Sequence, residues 1–296
     1  NVGCEACHGP GAAHANWAAT GRIAKDPGFS NVLTGKGVWA KEGDKTTMRR
    51  QDGGNADSQI EVCAACHSRR TELSEDHAGK PFSDLFQLRL LEQDMYFADG
   101  QIREEVYDHG SFLQSKMHAA GVACTNCHEP HSGKLLAEGN ALCGQCHQAA
   151  TYDRPEHHHH PAASTGAACV NCHMPSTTYM GVDARRDHSL RIPEPALTVE
   201  MGIPNACNRC HQDRDAGWAA AVVAGWNPHA GSKVAQARVM TAAWQDQAYA
   251  LPGLIALANE PGKPAILRAT AVLESARFPS QEALAMMQQQ LGDPDP

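Results

Sequence analysis

Apolar residues recur at helical spacing only towards the end of this 296-residue chain; earlier, turn residues interrupt every short apolar run. Gly9-Pro10-Gly11, Asp26-Pro27-Gly28, Gly53-Gly54 and Gly79-Lys80-Pro81 mark turns rather than long helices. Between them the pattern predicts a short helix over 84–95, around Leu85, Leu88 and Leu91. Residues 214–296 read differently, with much alanine, no cysteine and helices expected near 214–224, 232–247, 251–259, 264–277 and 280–291. Val234, Ala237, Arg238, Thr241 and Trp244 carry the three-to-four period, as do Ile266, Leu267, Val272 and Leu273. Helix pairs of this length, broken by turns such as Asp293-Pro294, predict an α-solenoid of HEAT or TPR type; a plain helical cap is the competing reading. The expected class is mainly α with extensive irregular loops, divided into residues 1–213 and 214–296.

The cysteines explain the irregular part. Six Cys-x-x-Cys-His motifs consume all twelve: Cys4, Cys7 and His8; Cys63, Cys66 and His67; Cys124, Cys127 and His128; Cys143, Cys146 and His147; Cys169, Cys172 and His173; Cys207, Cys210 and His211. In this spacing two thiols form thioethers to the haem vinyl groups and the adjacent histidine becomes the proximal iron ligand. A single copy could be a redox dithiol or half of a zinc site. Six copies with no cysteine left over predict six covalent haems c. Aromatic content of 5% is low for a core of this size, and six porphyrins supply the missing apolar bulk. The fold is therefore expected to be a multihaem cytochrome c core followed by an α-helical repeat region, its haem part dependent on cofactor much as small metal domains depend on metal. The motif-bearing segments should begin helical turns, and the third to fifth haems should lie close together because little chain separates Cys124 from Cys169.

Seventeen histidines exceed the six proximal ones, leaving His14, His77, His109, His118, His131, His157, His158, His159, His160, His188 and His229. A distal methionine would raise haem potential, and spare histidine makes bis-histidine ligation the economical reading. His14 follows a tight Gly-Pro-Gly turn, His118 precedes Cys124 by six residues, and His131 lies three past His128. His188 sits beside Arg185 and Arg186, which suit haem propionates. Two of His157–His160 are expected to be ligands, with His157 and His160 favoured because one helical turn would put them on one face; a non-haem metal site or plain surface is the alternative. The expected distal set is His14, His118, His131, His157, His160 and His188. His77 is assigned to a polar loop, and His109 and His229 to hydrogen-bonding or solvated positions.

A formal charge of −8, before haem propionates are counted, argues against nucleic acid and for partners with basic patches. The most apolar run, from Trp218 to Trp226, is far short of the ~20 residues of a membrane span. Because c-type haem is attached outside the cytoplasm, a periplasmic or extracellular location is expected, and Asn1 is not expected to be the translational start. The end at Leu291-Gly-Asp-Pro-Asp-Pro296 reads as an inter-helix turn, so the repeat region is expected to be incomplete.

Gly3-Cys-Glu-Ala-Cys-His-Gly-Pro-Gly, Asp99-Gly-Gln with Gly110-Ser-Phe-Leu-Gln-Ser-Lys-Met117, Asn171-Cys-His-Met-Pro175, Arg186-Asp-His188 and Pro204-Asn-Ala-Cys-Asn-Arg-Cys-His211 together resemble the large multihaem cytochromes that carry a C-terminal TPR or HEAT-repeat region. The resemblance covers nearly the whole chain. It implies a secreted protein, with distal histidines at His14, His118, His131, the 157–160 run and His188. It also implies a further haem-bearing region ahead of the first motif. Wider kin include cytochrome c nitrite reductase and hydroxylamine oxidoreductase, but this chain has no Cys-x-x-Cys-Lys motif.

Two functions follow. One is electron relay through closely spaced six-coordinate haems to redox partner proteins, in an assembly or end-to-end filament with other copies or further cytochromes. The other is a reductase or oxidase of a small nitrogen or sulfur oxyanion, which needs one open iron; Tyr107, His109 and Lys116 are its available acid–base groups.

Overall fold

Each motif begins or ends a helical turn, as its spacing requires if both thiols are to reach one edge of a planar group. The first forms the helix Glu5–His8, the second closes the longer helix Asp57–His67 and the fifth forms Cys169–His173. The third and sixth lie on 3-10 turns at Cys124–Asn126 and Cys207–Arg209, and the fourth begins within the turn Ala141–Gly144, which contains Cys143. These positions come from a computed structural model that describes residues 2–23, 25–31, 33, 36–54, 56–75, 80–227, 231 and 233–295. His77 and His229 lie outside the described residues. The described chain is mostly helical, with only short strands in two-stranded antiparallel pairs.

The chain divides into two units, one of residues 1–88 and 120–147, the other of residues 89–119 and 148–296. The first holds four motifs on short helices and strand pairs. Among its described residues the buried apolar side chains are few: Ala56, Ile60, Ala64, Leu85, Phe86 and Ala123. Here the expected helix over 84–95 is replaced by a single turn, Phe82–Leu85, and a strand, Phe86–Leu88. That strand pairs with Arg70–Glu72, and the Leu73 amide donates to the Leu85 carbonyl. The reason lies in the local pattern. Leu85, Leu88 and Leu91 fit a helix, yet Phe86, Leu88 and Leu90 alternate with exposed Gln87 and Arg89, and a short apolar run serves either period. Pairing with residues 70–72 decides for the strand.

The second unit contains the apolar core. Its later helices, Ala216–Trp226, Val234–Trp244, Leu251–Ala258, Ala265–Ser275 and Gln281–Gln290, follow the periodicity within two or three residues at each end. Asp215 caps the first by accepting from the Trp218 amide, and Ser280 caps the last by accepting from Ala283. Leu197, Ile203, Ala237, Met240, Leu254, Leu257, Ala271 and Met286 share one cluster. The helix Ala265–Ser275 turns slightly from the expected face: Ile266, Leu267, Thr270, Ala271, Glu274 and Ser275 are buried, while Leu273 points outward. Glu274 tolerates burial because Trp244 Nε1 and Arg277 Nε both donate to its carboxylate. Among the described residues no helix is long and apolar enough to cross a membrane.

Candidate haem sites

All twelve cysteines are free thiols at exposed or half-buried positions, so every motif presents both attachment points. In the first unit the Cys63 and Cys124 thiols hydrogen-bond each other, which lowers the pKa of Cys63 and raises that of Cys124. The supports of these two motifs are joined as well, since the Thr125 amide donates to Gln59 Oε1 at 3.0 Å. The fourth motif is tied to an upstream strand segment: the Met48 amide donates to the Cys146 carbonyl, and Thr47 Oγ1 lies 3.3 Å from His147 Nδ1.

Among the described residues three proximal histidines face a second histidine. The rings of His8 and His131 have centroids 6.2 Å apart at an interplanar angle of 8°. His173 and His157 stand at 6.2 Å and 15°. His211 and His160 stand at 6.0 Å and 37°. Two imidazoles bound through one nitrogen each to opposite sides of one metal, at about 2.0–2.1 Å per bond, place their centroids about 6 Å apart. The residues therefore fit the group: proximal thiols, a proximal imidazole and a second imidazole at the separation one iron spans.

Comparison with known proteins agrees. The Cytochrome c552 family model matches residues 155–250, and a doubled CXXCH motif matches residues 117–151. The chain is a multihaem c-type cytochrome. Its fold is similar to that of an outer cell wall cytochrome, OcwA, with a TM-score of 0.50 and 17% sequence identity over 97% of this chain and 69% of that one. At that identity the likeness concerns the fold. No curated protein sequence matches the cytochrome significantly.

The 157–160 run is built differently from its expectation. Pro155 starts a single turn that ends at His158, and His159 adopts a left-handed conformation, φ 56°. His157 and His160 thus do not share a helical face. The turn sends their rings to two different motifs, while His159 stacks on Trp226 at 3.9 Å. Gly166 gives His160 its room: a Cβ there would overlap the imidazole, although the backbone at 166 suits any residue. Sequence reasoning missed Gly166, since nothing local marks it. Gly166→Ala is expected to displace His160 and convert one haem from low to high spin without loss of haem, read by EPR and pyridine haemochrome assay.

The remaining expected ligands stand as follows. His14 is set on the helix Ala12–Ala19, donates from Nδ1 to the Pro27 carbonyl at 2.8 Å and stacks on Phe29 at 4.1 Å. His131 is exposed, with Nδ1 3.1 Å from Glu129 Oε1. Hydrogen bonds from Ser132 and His131 hold the Glu129 carboxyl down to about 2. His118, on the turn Lys116–Ala119, meets the ring of Phe112 edge-on at 5.6 Å. His188 directs Nδ1 to the Arg186 carbonyl at 3.0 Å and Asp108 Oδ1 at 2.9 Å. Burial opposes its protonation, but the hydrogen bond and charge of Asp108 outweigh that and raise its pKa. Such Nδ1 anchoring leaves Nε2 available to a metal, the usual arrangement of a ligating histidine. His109 differs: burial first, then the charge of His118, pushes it down to about 4, so it is neutral at physiological pH.

Arg185 and Arg186, the residues expected to suit haem propionates, also make contacts within the protein. Arg186 Nη1 donates to the Val170 and Met174 carbonyls and to Asn171 Oδ1, clasping the fifth motif's backbone. Arg185 pairs with Glu105 at 3.1 Å and lies over the Tyr107 ring.

Proposed function

We propose that the cytochrome relays electrons through six covalently attached, bis-histidine-ligated haems outside the cytoplasm. The observation that carries this is the set of three facing imidazole pairs, His8 with His131, His173 with His157 and His211 with His160. With both axial positions filled by histidine an iron has no place for substrate, and its potential stays low. Haem supplies the one-electron chemistry; the chain holds haems close together and tunes them. Close spacing is supported by the contact of the Cys63 and Cys124 thiols. The distal set is His14, His118, His131, His157, His160 and His188. In this reading residues 1–213 are the haem-bearing part and residues 214–296 a HEAT- or TPR-like helical region that docks redox partners. Those partners are further cytochromes, other copies of the chain or proteins with basic surfaces that complement a charge of −8.

The test is low-temperature EPR of the oxidised protein, with iron, haem and mass determined on the same sample. Six haems per chain, all low-spin with signals typical of paired histidines, are expected. One stoichiometric high-spin haem per chain would overturn the relay in favour of reduction or oxidation of a small nitrogen or sulfur oxyanion at an open iron.

A further inference from the structure

The fifth motif has a support that its own sequence does not contain. His173 Nδ1 donates to the carbonyl of Arg191 at 2.8 Å, and this bond turns Nε2 away from the backbone. Arg191 itself is buried, with its guanidinium held on three sides. Nη1 donates to Asp99 Oδ2 at 2.7 Å, Nε donates to Ser189 Oγ at 2.8 Å, and the Asp187 carboxylate lies 3.7 Å from Nε. Asp99 in turn accepts from the Gln101 amide and side chain, and Asp187 from the Ser189 amide. Among the described residues Arg191 Nη2 has no hydrogen-bond partner. Arg191 lines a cavity of about 10 Å³ together with Cys172, Asp99, Glu194 and Lys233. The amine of Lys233 is pushed down to about 8, first by burial and then by Arg191, against the pull of Asp99, Glu194 and Asp187.

A buried ion pair of this kind is a poor source of stability, because desolvating both charges offsets most of their attraction. Its position argues for another role. The same residue fixes the proximal imidazole through its carbonyl, and its cationic side chain lines the same small cavity as Cys172 of that motif. Charge and hydrogen bonding beside a haem are the levers by which protein sets its potential.

We propose that Arg191 is a positioning residue for the haem attached at Cys169 and Cys172, and that the buried cluster of Asp99, Asp187, Arg191 and Lys233 sets that haem's potential. This rests on haem attachment at the fifth motif, and not on the identity of its sixth ligand. A positive charge favours the reduced iron, so removing Lys233 lowers the potential and removing the charge of Asp99 raises it.

Asp99→Asn and Lys233→Met are compared with the unaltered protein by spectroelectrochemical titration. In Asp99→Asn, one of the six haems is expected to shift its reduced-to-oxidised ratio about tenfold towards reduced at fixed potential, about 59 mV for one electron. In Lys233→Met the same haem shifts the opposite way. Because Asp99→Asn risks misfolding by removing the carboxylate nearest to the buried Arg191, the Lys233 variant carries the test on its own if needed. A His157→Ala background identifies the haem, since its high-spin signal should titrate at the shifted potential. Unchanged potentials in folded variants, or an equal shift of all six haems, would overturn the proposal. If His157→Ala produces no high-spin signal while a single potential still moves, the pairing of His157 with His173 fails and the role of the cluster stands.

Discussion

Produced without haem attachment, the cytochrome is expected to lose residues 1–88 and 120–147 as a folded unit while keeping the helices between 234 and 290. Among the described residues of the first unit, only Ile60, Leu85 and Phe86 are large, apolar and buried. Burying each contributes about 1.5–3 kcal/mol. Ordering the backbone costs about 1–2 kcal/mol for every residue fixed. Three such side chains are few for a unit of that length, and porphyrin is the core expected to replace them. The second unit buries Leu197, Ile203, Met240, Leu254, Leu257, Ile266, Leu267 and Met286 among its own helices, and four of those helices lie beyond the last motif. Hydrogen exchange on the haem-free chain should show protection confined to the later helices and near-complete exchange across the first unit. Limited proteolysis should cut the first unit and spare the second. Equal protection of both units would mean that side chains suffice to fold the first.

Removing the two facing histidines of the 157–160 run is expected to open two irons independently. His157 faces His173 and His160 faces His211, so the substitutions act on different motifs. Each of His157→Ala and His160→Ala should convert one haem in six to high spin, and the double variant two. The effects add because no iron is shared. Covalent attachment through the thioethers is untouched, so haem content per chain stays constant. Loss of a strong-field imidazole also leaves a position for water or added cyanide, which the parent should bind far less readily. His159→Ala is the control, because the His159 ring is spent on Trp226. If His159→Ala rather than His157→Ala opened an iron, the assignment within the run would be wrong even though the run supplied a ligand.

Much of the helical organisation was legible locally. From Ala216 to Gln290 the apolar period, the capping Asp215 and Ser280 and the intervening turns all lie within a few residues of the helices they define. The expected helix over 84–95 failed where a strand partner sixteen or so residues upstream outbid local preference. The face assigned to His157 and His160 failed for a smaller reason. A single left-handed residue, His159, ended the turn before His160, and histidine carries no strong signal for that conformation.

What the sequence determined by itself is the chemistry of attachment. Two thiols and an imidazole within five residues need only one helical turn to present them, and that turn forms from short-range bonds such as His8 N–H to the Cys4 carbonyl. Which second histidine stands opposite His8, His173 and His211 was decided by tertiary structure alone. His131 lies three residues past His128, yet its ring faces His8. His160 faces His211, and the carbonyl that orients His173 belongs to Arg191. A ring pair about 6 Å apart is set by the packing of segments distant along the chain. No local pattern of residues encodes that separation, because it depends on loop paths, on the room left at Gly166 and on buried charges at Asp99 and Arg191 that only the folded chain brings together.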